Sequence, residues 1–152
     1  MSSFSIQLPL DDDGFLRREC LHCSQQFKWH HGPTAERPSG EVDLPVYFCP
    51  RCGVSAAPDQ WFTQEQIAYM EEAMSGPLFR EASDAIEEAF RGVKGVTIKR
   101  NSSDEPEPPT ALQEPDDMII VAPPCHPWEP VKVPDEATGE VHCLICGEAF
   151  AA

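Results

Sequence analysis

Three copies of one four-residue pattern, Cys-x-x-Cys, set the terms on which this chain can fold. Cys20/Cys23, Cys49/Cys52 and Cys143/Cys146 account for six of its seven cysteines. Each pair presents two sulfurs from one tight turn, which is half of a tetrahedral metal site. The chain needs such staples, because sixteen prolines in 152 residues cut it into short pieces that bury little apolar surface. A disulfide framework, the other use of clustered cysteines, requires an even count and a secretory context. The opening MSSFSIQLPLDDDG has neither a basic n-region nor an apolar h-region. No run approaches the roughly 18 apolar residues that span a bilayer. The expectation is therefore a soluble, cytoplasmic protein whose reduced thiols bind zinc.

Charge narrows the partners. The net charge is −15, and its distribution is uneven: residues 1–60 carry five basic and eight acidic side chains, residues 61–100 five and seven, residues 101–152 one and eleven. A chain this acidic repels phosphate backbones unless a local basic face overrides the total.

Along the chain, Asp11, Asp12 and Asp13 close a polar leader, and GFLRREC reads as a strand entering a cysteine turn. QFKWHH alternates, with Phe27, Trp29 and His31 on one side and Lys28 and His30 on the other. LPVYFCPRCG is a returning strand and a second turn, with Gly53 free to take a positive φ. TQEQ at 63–66 is a capping box, followed by Ile67, Met70 and Met74 at helical spacing. Ser75 and Gly76 are expected to end that helix and Pro77 to open a second, with Phe79, Ala82, Ile86, Ala89 and Phe90 as its apolar stripe. The pair reads as an αα-hairpin, followed by an isolated strand at 95–100. Residues 101–117 hold four prolines and six acids, the composition of an extended, self-repelling linker. A strand is expected at MIIVA, 118–122, leading into a second small β-rich module.

Two thiols fill two corners of a tetrahedron, so CLHC needs a second pair, and CPRCG is the obvious donor. The 25 residues between Cys23 and Cys49 exceed the usual zinc spacing of about 15–20 by the length of a Gly/Pro loop. This layout over residues 14–55 resembles the zinc-ribbon superfamily. The resemblance implies a structural zinc held by Cys20, Cys23, Cys49 and Cys52, in a module that recognises nucleic acids or proteins. Ser24 stands where such a turn often carries glycine. A self-contained finger using His22, His30 or His31 is disfavoured, since six or seven residues after Cys23 is too short for that motif.

Cys125 precedes CLICG by 17 residues, good ribbon spacing, and Gly147 follows the second cysteine of the pair. Cys125, Cys143 and Cys146 leave one corner open. His126, His142 and Glu129 are the candidates for it, and His126 is favoured because it lies in the turn that lacks its second thiol. An open corner would suit a catalytic zinc, but the deaminase signature, a glutamate two residues after the first ligand and a proline before CxxC, is absent.

The fold expected is small α+β and metal-stabilised, with two zinc ions per chain. It comprises a polar leader (1–13), a zinc ribbon (14–62), a helical hairpin and short strand (63–100), an acidic Pro-rich linker (101–117) and a C-terminal zinc-ribbon-like module (118–152). No nucleophile–base pair, phosphate loop or cofactor motif is visible, so the leading expectation is a non-enzymatic adaptor or accessory subunit that binds other proteins. One alternative is a nucleic-acid-associated regulator. It would use Arg17, Arg18, Lys28, Arg37 and Arg51 around the first thiols, with Trp29 for stacking; the plainer role for these cations is to offset the formal −2 of four thiolates on one dication. The third possibility is a zinc-dependent enzyme at the C-terminal site.

Overall fold

The computed structural model describes residues 5–98, 105–137 and 139–152. Among the described residues, eight short strands and one helix follow each other as β1 (Phe15–Glu19), β2 (Gln26–His30), β3 (Tyr47–Phe48), β4 (Ser55–Ala56), α1 (Gln64–Ala89), β5 (Ile119–Val121), β6 (Val131–Val133), β7 (Glu140–His142) and β8 (Ala149–Ala151). The order strand, turn, strand, strand, turn, strand occurs twice, once on each side of the helix.

The two halves are not separate modules on a tether. Leu8–Thr63 and Gln113–Ala152 form one compact unit, and Gln64–Leu112 belongs to another. In the first unit an antiparallel sheet runs β1-β2-β6-β5, with Lys28 opposite Lys132 and Trp29 opposite Val131. One face carries the core: Phe27, Val131, Val133, Trp61, Leu144 and Cys49 are buried in a single cluster. Phe27 meets Trp61 edge-on at 5.7 Å, and Trp29 meets Tyr47 at 5.1 Å.

The other face holds an arrangement that alternation alone conceals. Arg17, Lys28 and Lys132 lie directly opposite one another across three strands, a row of like charges that on its own would push the strands apart. Lys28 and Lys132 are fully buried. The acidic leader and the end of the expected linker cover them. Lys28 Nζ donates to Asp11 Oδ2 at 3.0 Å and to the Pro115 carbonyl at 2.6 Å, and pairs with Glu114 at 3.0 Å. Lys132 Nζ donates to Asp11 at 2.8 Å, Asp13 at 2.7 Å and Asp116 at 2.8 Å. Arg17 takes Glu114 at 2.8 Å and Asp117 at 2.6 Å. Residues 114–117 are thus strapped to the sheet, where composition suggested a self-repelling chain.

The helix also departs from expectation. α1 runs unbroken through Ser75, Gly76 and Pro77, one helix in place of a hairpin. Proline removes a helical donor and crowds the preceding turn, at a cost of about 3 kcal/mol. Ser75 Oγ donates to the Glu72 carbonyl at 2.7 Å, and the Pro106 carbonyl approaches within 3.4 Å of where a Cβ on Gly76 would sit, so the glycine serves close packing rather than termination. Residues 95–98 form no strand, and residues 99 and 100 lie outside the described residues, as do 101–104 of the linker. Among the described residues no helix is long and apolar enough to cross a membrane.

Candidate metal centres

Three of the four strand–turn–strand units deliver their sulfurs by the same local geometry; the turn between β5 and β6, which carries Cys125 and His126, does not share it. After Cys20, Cys49 and Cys143 the chain folds back so that Ser24, Gly53 and Gly147 donate their amides to the carbonyls of those cysteines at 2.9, 2.8 and 2.8 Å, and the same three cysteines donate to the carbonyls of Gln25, Val54 and Glu148. The turn requires a left-handed residue after the second cysteine: φ is +79° at Gly53, +77° at Gly147 and +61° at Ser24. Ser24 therefore takes up the conformation that the missing glycine would have supplied, with the strain an L-residue carries there.

Four ligand atoms converge at each of two points. Cys20, Cys23, Cys49 and Cys52 place their sulfurs within 4.8 Å of one another, and so do the ligand atoms of Cys125, His126, Cys143 and Cys146. In the first group Cys20 and Cys52 stand 3.7 Å apart and Cys23 and Cys49 3.8 Å. In the second, Cys125 and Cys146 are 3.5 Å apart and the His126 Nδ1 lies 3.4 Å from the Cys143 sulfur. Either group could hold a metal ion, an arrangement consistent with zinc-ribbon-like modules. Of the three candidates for the open corner, His126 joins the cluster. The His142 Nδ1 lies instead 3.1 Å from the Gly147 carbonyl, and Glu129 lines a cleft. His22, His30 and His31 join neither group.

Burial, and after it the neighbouring thiols and amides, sets the protonation of the two clusters. Burial pushes the Cys49, Cys23 and Cys143 thiols up. Cys125 is pushed up to about 12, by burial first and then by Cys146 and Cys143. Cys20 runs the other way: burial raises it, but amide donors from Cys23 and His22 outweigh that and hold it low. A dication reverses the cost of gathering thiolates and displaces the protons.

The two centres are joined reciprocally. Phe48, just before Cys49, donates its amide to the Leu144 carbonyl at 2.9 Å; His142, just before Cys143, donates to the Pro50 carbonyl at 2.8 Å. A Cβ on Gly147 would lie 2.7 Å from the Phe48 ring, and one on Gly53 would lie 3.0 Å from the His142 ring. Each metal turn thus packs against the residue that leads into the other.

The basic side chains near the first centre are occupied. Arg17 and Lys28 face carboxylates, and Arg37 pairs with Asp43 at 3.2 Å. The Arg51 guanidinium reaches the Gln26 carbonyl. Arg18 is buried, its guanidinium 5.0 Å from the Trp29 ring and 4.7 Å from Phe62, and burial lowers its pKa to about 10. Reading the sequence missed the buried lysines. The signal was Lys132, the sole basic residue in 101–152, set between Val131 and Val133.

No family model matches this chain, and neither a curated protein nor a solved structure is detectably similar to it.

Proposed function

We propose that this chain is a non-enzymatic, zinc-stapled adaptor that docks on a protein partner through α1. The observation that carries the reading is the surface of α1 and its first following residue: Leu78 and Ile86 on the helix and Phe90 just beyond it are 49%, 52% and 45% exposed. At roughly 100° per residue, Leu78, Ala82, Ile86 and Phe90 fall within an arc of about 120°, while Glu81, Asp84, Glu87 and Glu88 fall on the opposite side. Such a face is the kind that seats in an apolar groove. Two copies of this chain would bring −15 against −15, so a groove with a basic rim on a different protein suits it better than self-association.

Sulfur-rich sets of four cysteines, or three cysteines and a histidine, suit zinc in tetrahedral structural sites. Four protein donors per centre support a structural role over an open catalytic one. The engagement of Arg17, Lys28 and Arg37 with carboxylates supports a protein partner over a phosphate backbone.

A photo-cross-linking residue placed in the full chain, in the native host, tests the reading. Positions 86 and 90 should each yield one and the same discrete adduct, and position 81 or 88 little of it. Absence of an adduct, or equal adducts from both faces, would overturn the docking role.

A further inference from the structure

A cleft of about 390 Å³ lies along the segment from β2 to β3, within the size range of sites that enclose a small group. Trp29 and Tyr47 line it, and Arg37, Asp43, His30 and Glu129 supply its polar atoms. Most of those polar groups are already occupied. Arg37 donates to Asp43 Oδ1 at 3.2 Å and to the Glu41 carbonyl at 3.0 Å, and the His30 Nδ1 sits 2.9 Å from the Gly32 carbonyl. Glu129 is the exception: its carboxylate makes no hydrogen bond or ion pair among the described residues. Among the described residues no cation touches this partly buried carboxylate.

We infer that this cleft receives a lysine or arginine side chain presented by a protein partner, with Glu129 pairing the cationic head and Trp29 and Tyr47 flanking it. A carboxylate next to aromatic faces is the chemistry that selects an organic cation, and the same carboxylate repels anions. The chain's net charge of −15 draws basic segments toward it over longer distances. This inference rests on the adaptor reading, to which it adds the chemistry of a second contact.

The test uses the full-length protein, isotopically labelled, titrated with capped Gly-Arg-Gly and Gly-Lys-Gly peptides and with Gly-Gln-Gly as the uncharged control. A basic peptide should give saturable shifts at the Trp29 indole N–H and at the amides of Tyr47 and Glu129, and the control should give none. Glu129→Gln should weaken binding about tenfold, the effect of losing one partly desolvated charge-assisted contact, with a spectrum unchanged away from the cleft showing that the variant is folded. Tyr47→Leu should weaken it by an independent route. The inference is overturned by absent or unsaturable shifts, by equal affinity in Glu129→Gln, or by shifts spread over the acidic surface. Cross-linking from α1 can fail while these shifts appear, and the reverse, so the two readings fall separately.

Discussion

Asp11 is one residue on which the sheet's buried charges depend, and replacing it by asparagine isolates that dependence. Its Oδ2 receives both Lys28 and Lys132, at 3.0 and 2.8 Å. Its Oδ1 accepts the amides of Asp13 and Phe15, both at 3.0 Å. Asparagine keeps the shape and an oxygen for the two amides but removes the charge. Taking one partner from a buried ionic cluster typically costs about 3–5 kcal/mol, because the remaining charge is stranded. Here each lysine retains other carboxylates, Glu114 and Asp117 for Lys28 and Asp13 and Asp116 for Lys132, so the expected cost sits at the low end, about 3 kcal/mol. With a urea slope of about 1–2 kcal/mol/M, the unfolding midpoint in metal-saturated buffer should drop by roughly 1.5–3 M. Asp12 is exposed, and Asp12→Asn should cost no more than about 0.5 kcal/mol. The triple variant Asp11→Asn, Lys28→Met, Lys132→Met, which keeps the acceptor for both amides and strands no buried charge at these three positions, should be more stable than Asp11→Asn alone. Equal midpoints for Asp11→Asn and Asp12→Asn would refute the reasoning.

Three further outcomes are expected. Elemental analysis should find two zinc ions per chain and one in Cys146→Ser, and exhaustive chelation should abolish cooperative unfolding. Because most of the cluster thiols have raised pKa values and so hold their protons when empty, zinc binding should release protons. Acidification from about pH 8 to about pH 5 should drive the metal off, measured with a colorimetric zinc indicator; retention of both ions would contradict the ligand assignment. Gly147→Ala should strain a left-handed residue by about 1–2 kcal/mol and press on Phe48, weakening the first centre as well as its own, whereas Ser24→Gly should stabilise by about 0.5 kcal/mol, the strain relieved less the added freedom of the unfolded chain; separate competition titrations of the two centres would detect the coupling.

The metal groupings were legible because ligand spacing is a local signal: CxxC fixes two sulfurs, and a following glycine marks the turn. His126 was within reach for the same reason, lying where a second thiol was missing. The helix was legible at Thr63 and misjudged at Pro77: local propensity reads Ser-Gly-Pro as a break, whereas the helix continues and Gly76 packs against the Pro106 carbonyl, a tertiary contact that propensity does not carry. Least legible was the sheet. That β2 pairs with β6, and that Asp11–Asp13 and 114–117 cover its cationic row, depends on partners far apart in sequence. Composition read both acidic stretches as solvated, since nothing in DDD or EPDD announces that lysines elsewhere will be buried beneath them.

The reciprocal joining of the halves has a consequence for biosynthesis. Lys132 meets Asp11 across 121 positions of sequence, so while the chain is still emerging from the ribosome β2 has an open edge and no β6 to close it. Edges of that kind invite pairing with other chains. Early capture of zinc by the first four cysteines, all of which emerge well before residue 131, would hold Phe27 and Trp29 in a turn-locked nucleus until the closing strand arrives. Shortage of the metal during translation should therefore send this protein toward aggregates even where later supply is ample.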